Sequence, residues 1–437
     1  MRRPLPQKRQ GVIGSRFPFQ DYPMRLVSTA VLAAFLTPLV CASATMATPL
    51  TFDAALKLAQ HSAPSLAAKD ADLSAARAQA IAAGRLPDPK IRAGVENFPI
   101  SGPPAGSFSK DSMTMTTLGV MQDVPNVAKR KAARVRADAD IGLAQAGQAL
   151  EARDLRLNTA LAWVDLSYAE RKLSALDEVT KAIAPIRTSA ASQLTTGGIR
   201  PAQSLDGDQL SASLEDRRAD LVAEVAKARA ELVRWTGDDT ADVAGDPPEY
   251  AVDPTALRAN LDNNPTLRTY GAMSRQADAD VAVARAEKKS DWGWDVTYQH
   301  RDGMYGDMVS TGVTFSLPLF SKNRQDPVID ARTQSATRAR LDQDAAHRQL
   351  QAQLDADLAD HVMHQDRMMR AQMTLVPLAQ KKADLEMASY GAGTASLSDV
   401  LTAQLALAEA RIDAFSREAD VVRDGIRLNL TYGSNDQ

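Results

Sequence analysis

The chain of 437 residues contains one cysteine, Cys41, which excludes an internal disulfide framework and a CxxC zinc site. Aromatic residues are scarce at 5%, so a core built on large rings is not expected. Long apolar runs are scarcer still: only residues 26–40 approach the hydrophobicity of a membrane helix, and Thr37 and Pro38 interrupt them. No later segment has the roughly 20 apolar residues a spanning helix needs, so a mature chain that crosses a membrane must do so as β-strands. Positive charge is not in excess. The formal charge is −3, and residues 1–44 carry six Lys and Arg against Asp21, which leaves −8 for the rest, a poor balance for binding nucleic acid. Enzyme signatures are also missing: there is no P-loop, GxSxG, HExxH or GxGxxG ahead of a helix. Neither catalysis nor a cofactor is expected.

What is present is alanine, at about one position in six, which with Leu, Arg, Asp and Gln signals long helices. Residues 1–47 read as an upstream extension and a signal peptide, with Met24 and Arg25 opening the leader and cleavage after Ala44 or Ala47. Lipidation of Cys41 is the alternative, although Pro38-Leu39-Val40 does not supply the small residue that lipidation prefers.

The remainder is a duplication. Leu56, Pro64 and Leu66 recur 201 residues later as Leu257, Pro265 and Leu267. Val120, Val124, Pro125 and Lys129 recur as Val313, Leu317, Pro318 and Lys322 at an offset of 193, and Gly198, Leu205, Gln209 and Leu210 as Gly393, Val400, Gln404 and Leu405 at 195. The first repeat, 48–240, is expected to hold a helix over 52–83, strands 90–98 and 113–124, and a helical hairpin 129–236. The second, 241–437, opens on a linker and holds strands 292–301 and 308–319 and a hairpin 324–430. Trp292, Trp294, Val296 and Tyr298 alternate with Gly293, Asp295, Thr297 and Gln299, and Val309 through Leu317 alternate with small or polar residues in the same way. Such period-two strands of this length fit a barrel wall between lipid and water, or a soluble hairpin with one face on a core. Along Leu150, Leu157, Leu161, Val164 and Tyr168 the apolar steps are those of a coiled-coil seam. The helix from 129 to 193 would run roughly 100 Å, too long for a compact bundle. Two strands per repeat give four per chain, and four cannot close a barrel, so the pattern demands an oligomer.

Signal peptide, duplication, paired amphipathic strands and long helical hairpins together resemble the TolC-like outer membrane efflux family. Leu86-Pro87-Asp88-Pro89, Gln122-Asp123-Val124-Pro125 with Lys129-Arg130, and Leu317-Pro318-Leu319-Phe320 with Arg324-Gln325-Asp326-Pro327 resemble its heavy-metal, CzcC-like branch. The resemblance implies a mainly α fold with a small β part: a homotrimer whose 12-stranded outer-membrane β-barrel continues into a periplasmic α-helical barrel. It implies a passive duct for divalent heavy-metal ions, docked on a periplasmic adaptor and a resistance-nodulation-division pump of the inner membrane. The alternatives are a small-molecule or multidrug duct of the same family, or, in a different class, a periplasmic adaptor or coiled-coil protein.

The helix-turn-helix tips, at Gly197, Gly198, Gly393 and Ser396, are the expected adaptor contacts. By resemblance Tyr390 matches a tyrosine that helps lock the periplasmic mouth and Asp399 matches the first of two acidic rings. Ala395 stands where the family's arginine would be, and Thr402 where the second aspartate would be. Asp399 also reads as an ordinary first-turn acid on a helix. One cluster has metal-ligand chemistry: Asp357/His361 and Asp360/His364 are i,i+4 pairs on one helix. The plainer reading leaves those pairs in solvent and the neighbouring methionines in helix seams.

Overall fold

The computed structural model describes residues 50–195, 201–239 and 242–433. The leader and the glycine pair of the first tip lie outside the described residues. The described chain begins with α1 (Phe52–Ser62) and α2 (Pro64–Ala82). One helix over 52–83 was expected, but Ala63 is extended at ψ 114° and Pro64 opens α2 at its first position. The residue before a proline is pushed out of the helical region, so the segment breaks there. Next come β1 (Lys90–Glu96), β2 (Met115–Val124), α3 (Val127–Thr195) and α4 (Pro201–Thr236).

After α4 come α5 (Pro254–Ala259), capped by Asp253, and α6 (Pro265–Ala286), capped by Asn264. In both, an Asx side chain accepts backbone N–H groups just ahead of a proline that had no N–H to offer. β3 (Trp292–His300), β4 (Met308–Phe315), α7 (Ser321–Arg370), α8 (Val376–Gly391) and α9 (Leu397–Tyr432) follow. Between α7 and α8 the chain makes one turn of π-helix, Ala371–Leu375. That turn absorbs Pro377 without ending the rod, since a wider turn tolerates a missing donor.

All four strands end earlier than 98, 301 and 319 or begin later than 113. Asn97 takes a left-handed φ of 57° and stops β1. Beyond Phe315 one further bond, from the Ser316 N–H to the Asp291 carbonyl at 2.9 Å, closes the ladder, and Pro318 has no N–H with which to extend it. The strands form one antiparallel sheet in the order β1-β2-β3-β4. β2 pairs with β3 from Thr116↔His300 to Val124↔Trp292, so strands from the two halves of the sequence share a sheet. The helices pack along narrow seams. The densest region joins α1, α3, α4 and α9 around Trp163, Leu166, Tyr168 and Ile426, all essentially solvent-free. Trp163 donates to the Leu50 carbonyl at 2.9 Å and meets the Phe52 ring edge-on at 5.6 Å, the geometry that satisfies both an indole N–H and the ring quadrupoles.

Candidate functional site

Register sorts the side chains of the sheet onto two faces. Directly paired residues share a face, so Leu118, Tyr298 and Val309 align, as do Val120, Val296 and Thr311, and Trp294 with Val313 and Trp292 with Phe315. These large apolar groups are exposed, Val313 at 60% and Phe315 at 64%. The opposite face carries Lys90, Arg92, Thr117, Asp123, Asp295, Thr297, Gln299 and all four strand glycines. A sheet that turns its apolar face outward and its polar face inward is the reverse of a soluble hairpin, and it is what a wall between lipid and water requires. β1 and β4 each lack a second neighbour in the sheet among the described residues.

The four helices that connect to the sheet, α2, α3, α6 and α7, all join it at one end, and the hairpin loops 97–114 and 301–307 lie at the other. The helical end is clamped between the segment that follows β2 and the one that precedes β3. Asp291 accepts from the Asn126 backbone at 2.8 Å, the Asn126 amide at 2.9 Å and Lys129 Nζ at 2.9 Å, and Lys129 also reaches Glu287 at 2.7 Å. Partial burial of Asp291 opposes ionisation, but these bonds outweigh it and hold its carboxyl below the usual range. Burial pulls Lys129 down, yet its two carboxylates hold the ammonium above its usual range.

At the far end of the second hairpin, Gly393 takes φ 76°, a conformation cheap only for glycine. Ser396 and Asp399 form a reciprocal capping box: Ser396 Oγ accepts from the Asp399 backbone at 3.2 Å, and Asp399 Oδ2 accepts from the Ser396 backbone at 2.9 Å and its hydroxyl at 2.6 Å. The Ser396 hydroxyl and then its backbone N–H lower the pKa of Asp399. Asp399 and Thr402 lie one turn apart on an exposed face of α9, whose buried face carries Val400, Leu401 and Ala403. Tyr390 packs against the cluster of Leu176, Leu397 and Val400. Gly197 and Gly198 fall outside the described residues.

The His/Asp cluster is organised differently from its spacing. His361, 5% exposed, and His364 both turn toward Asp424 on α9, with Nδ1 to Oδ2 distances of 3.8 and 2.7 Å. Asp357 instead accepts from the Tyr432 hydroxyl at 2.8 Å, and Asp360 is exposed. The i,i+4 pairings are therefore not made, because α7 turns this face toward α9. Burial disfavours ionised Asp424, but the two imidazoles lower its pKa overall. Among the described residues no group of three His, Cys, Asp or Glu could hold a metal ion. Asp424 escaped sequence reasoning because it lies 60 positions from His364.

Residues 256–434 match the family described as outer membrane efflux protein. The cobalt-zinc-cadmium resistance protein CzcC of Cupriavidus metallidurans is 24% identical over 374 residues, covering 83% of this chain and 85% of that protein. The Campylobacter jejuni CmeC outer membrane channel superposes with a TM-score of 0.75 at 12% identity, covering 87% of this chain and 85% of its own. The Vibrio cholerae outer membrane protein VceC does so at 0.72 and 17% identity, covering 88% and 97%. The fold is thus that of these outer-membrane channels, and residues 256–434 carry the match to the outer membrane efflux protein family. The likeness to CzcC accords with the heavy-metal, CzcC-like branch that the sequence motifs resemble.

Proposed function

We propose that this channel is a homotrimeric, passive duct of a tripartite efflux system, exporting divalent heavy-metal ions under the drive of an inner-membrane pump coupled through a periplasmic adaptor. The observation that carries the reading is the open sheet with its apolar face outward. Two unpaired strand edges in a bilayer are untenable, since each exposed backbone group costs several kcal/mol in hydrocarbon. Four strands cannot close on themselves, whereas β4 of one copy against β1 of the next in threefold order gives a twelve-stranded barrel. Metal cargo is supported by the likeness to CzcC, named for cobalt, zinc and cadmium resistance. Deleting the gene and scoring tolerance to cobalt, zinc, cadmium, copper, silver and several drugs tests the cargo. Sensitivity to divalent metals is expected, and unchanged tolerance to every metal would sink this assignment.

The tips at Gly197, Gly198, Gly393 and Ser396 form the periplasmic mouth and the adaptor contact in this reading. Tyr390 contributes to the closed lock, and three copies of Asp399 make one acidic ring, with Thr402 where a second would stand. Mutual repulsion of three carboxylates concentrates cations at the constriction. The exposed Asp399/Thr402 face supports this, and the capping box is compatible with it, because Ser396 engages one carboxylate oxygen, Oδ2. Asp399→Asn should abolish block of single-channel current by hexamminecobalt applied from the periplasmic side. Undiminished block would remove Asp399 from the pore axis.

A further inference from the structure

The two ends of the sheet differ sharply in charge. At the helical, periplasmic end the connecting segments 84–90, 125–136, 285–291 and 320–327 contain twelve Lys and Arg against four Asp and Glu, in a chain whose net charge is −3. The hairpin loops 97–114 and 301–307 at the other end contain two basic and three acidic residues. Ion pairing does not consume the surplus. Of the four acids, Glu287 and Asp291 are held by Lys129 and Asp326 by Lys288. Lys131, Arg285, Lys289, Lys322 and Arg324 are exposed, and each makes neither ion pair nor side-chain hydrogen bond within the described residues.

The same level of the structure exposes apolar side chains that the sheet does not use. Leu319 and Phe320 are 75% and 76% exposed immediately before Lys322 and Arg324, Val127 is 77% exposed before Lys131, and Leu86 follows Arg85. Apolar groups and unpaired cations interleaved where the strands end make an interfacial surface, in which carbon enters the acyl boundary and ammonium or guanidinium groups reach the phosphates. An acidic soluble partner would satisfy the cations and leave Leu319, Phe320 and Val127 in water. Anionic lipid satisfies both.

We infer that this periplasmic collar binds the phosphate headgroups of anionic phospholipid in the inner leaflet of the outer membrane, with Lys131, Lys289, Lys322 and Arg324 as the principal contacts. It sets the depth of the barrel and selects the lipid around it. Each Lys or Arg near an anionic surface contributes about fivefold in association, the equivalent of ~1 kcal/mol, and the preference falls as salt shortens the Debye length. This inference rests on the membrane placement of the sheet and not on cargo or pump.

The purified full-length trimer reconstituted in phosphatidylcholine vesicles, probed with spin-labelled phosphatidylglycerol and spin-labelled phosphatidylcholine, tests it. The wild type should favour phosphatidylglycerol by about tenfold or more at low salt and lose most of that preference near 1 M salt. The combined variant Lys131→Gln, Lys289→Gln, Lys322→Gln, Arg324→Gln should bind the two probes alike while still giving a heat-modifiable trimer. Replacing the three lysines by arginine should preserve the preference. Equal association in the wild type, enrichment that survives in the glutamine variant, or a stronger preference for lipid A than for phosphatidylglycerol would each overturn the inference. Loss of the trimer in the glutamine variant but not in the arginine one would overturn it too, by giving the cations a structural role instead.

Discussion

The sharpest consequence of the two-faced sheet is a depth gradient in the cost of an introduced charge. Val296 is the central residue of β3, paired with Val120 on one side and Thr311 on the other. At about 3.3 Å per residue it lies roughly 13 Å from either end of its strand, near mid-bilayer, with its side chain outward. Val296→Arg should therefore cost about 2–4 kcal/mol per copy, a factor of roughly 30 to 900 in the insertion equilibrium, incurred three times in a trimer. Val313 is also on the outer face but two residues from the periplasmic end of β4, about 7 Å in, so Val313→Arg should cost about 1–2 kcal/mol per copy. Thr297 and Thr314 are their inward neighbours, opposite Gly119 and Gly293, where arginine has both room and water. Thr297→Arg and Thr314→Arg should stay within about 1 kcal/mol of the wild type. The assay is the heat-modifiable trimer band from isolated outer membranes, with urea extraction separating inserted from adherent protein. Equal loss from Val296→Arg and Thr297→Arg, or no difference between Val296→Arg and Val313→Arg, would refute the orientation of the sheet.

Three further outcomes are expected. Gly393→Val places a β-branched residue at φ 76°, at a cost of about 1–2 kcal/mol; it should speed hydrogen exchange at the tip and impair efflux while trimers still insert. Asp424→Asn removes the carboxylate that His364 engages at 2.7 Å and should lower stability at pH 7 by about 1–3 kcal/mol, read as a fall in the melting temperature of the detergent-solubilised trimer. Because the pKa of folded Asp424 is depressed, its contribution is present above the ordinary value of 3.8 and is lost as pH falls through the folded value, so the gap between wild type and Asp424→Asn should close in that acid window. Lys129→Met should loosen the clamp between the segment that follows β2 and the one that precedes β3, leaving Asp291 with its Asn126 bonds alone, and should be detected as faster proteolysis at residues 286–291.

The fold was legible where a single strand or helix declares itself. Alternation in β3 and β4 read directly because Trp292, Trp294, Val296 and Tyr298 are large and their neighbours small. β1 and β2 alternate with less contrast, because the outward Ala93 is small and Met121 interrupts the polar face of β2. The break at Ala63–Pro64 was written in the sequence and was overridden by the surrounding alanines. The π-helical turn before Pro377 was not legible, because a proline inside a helical stretch announces a disturbance but not its form. At the candidate site, the turn at Gly393 and the capping pair Ser396 and Asp399 are local and could be read. The partner of His361 and His364 could not, because which face of α7 meets α9 is decided by packing along the whole hairpin. The open edges of the sheet could be counted from the number of strands alone, and they set the demand for further copies.

The sheet also shows why its inward face is poor in side-chain mass. Gly94, Gly119, Gly293 and Gly312 all project to that face and none to the outer one. A methyl group at Gly312 would stand 2.5 Å from Asp295 Oδ1, and one at Gly119 would stand 2.6 Å from Thr297 Oγ1. Gly119 and Gly312 thus leave the space into which a polar side chain of the adjacent strand lies down along the wall instead of standing into the lumen. Glycine inside a strand costs roughly 0.5–1 kcal/mol in backbone entropy, and a soluble sheet would gain nothing in return. In a channel the return is bore: the wall keeps its hydrogen-bonding groups, flattened against the backbone, and leaves the cross-section to water and solute. The outer face needs the opposite, bulk to meet lipid, and carries Trp292, Trp294, Tyr298 and Phe315. Polarity and size therefore alternate together along these strands, and both follow from one wall that separates two solvents.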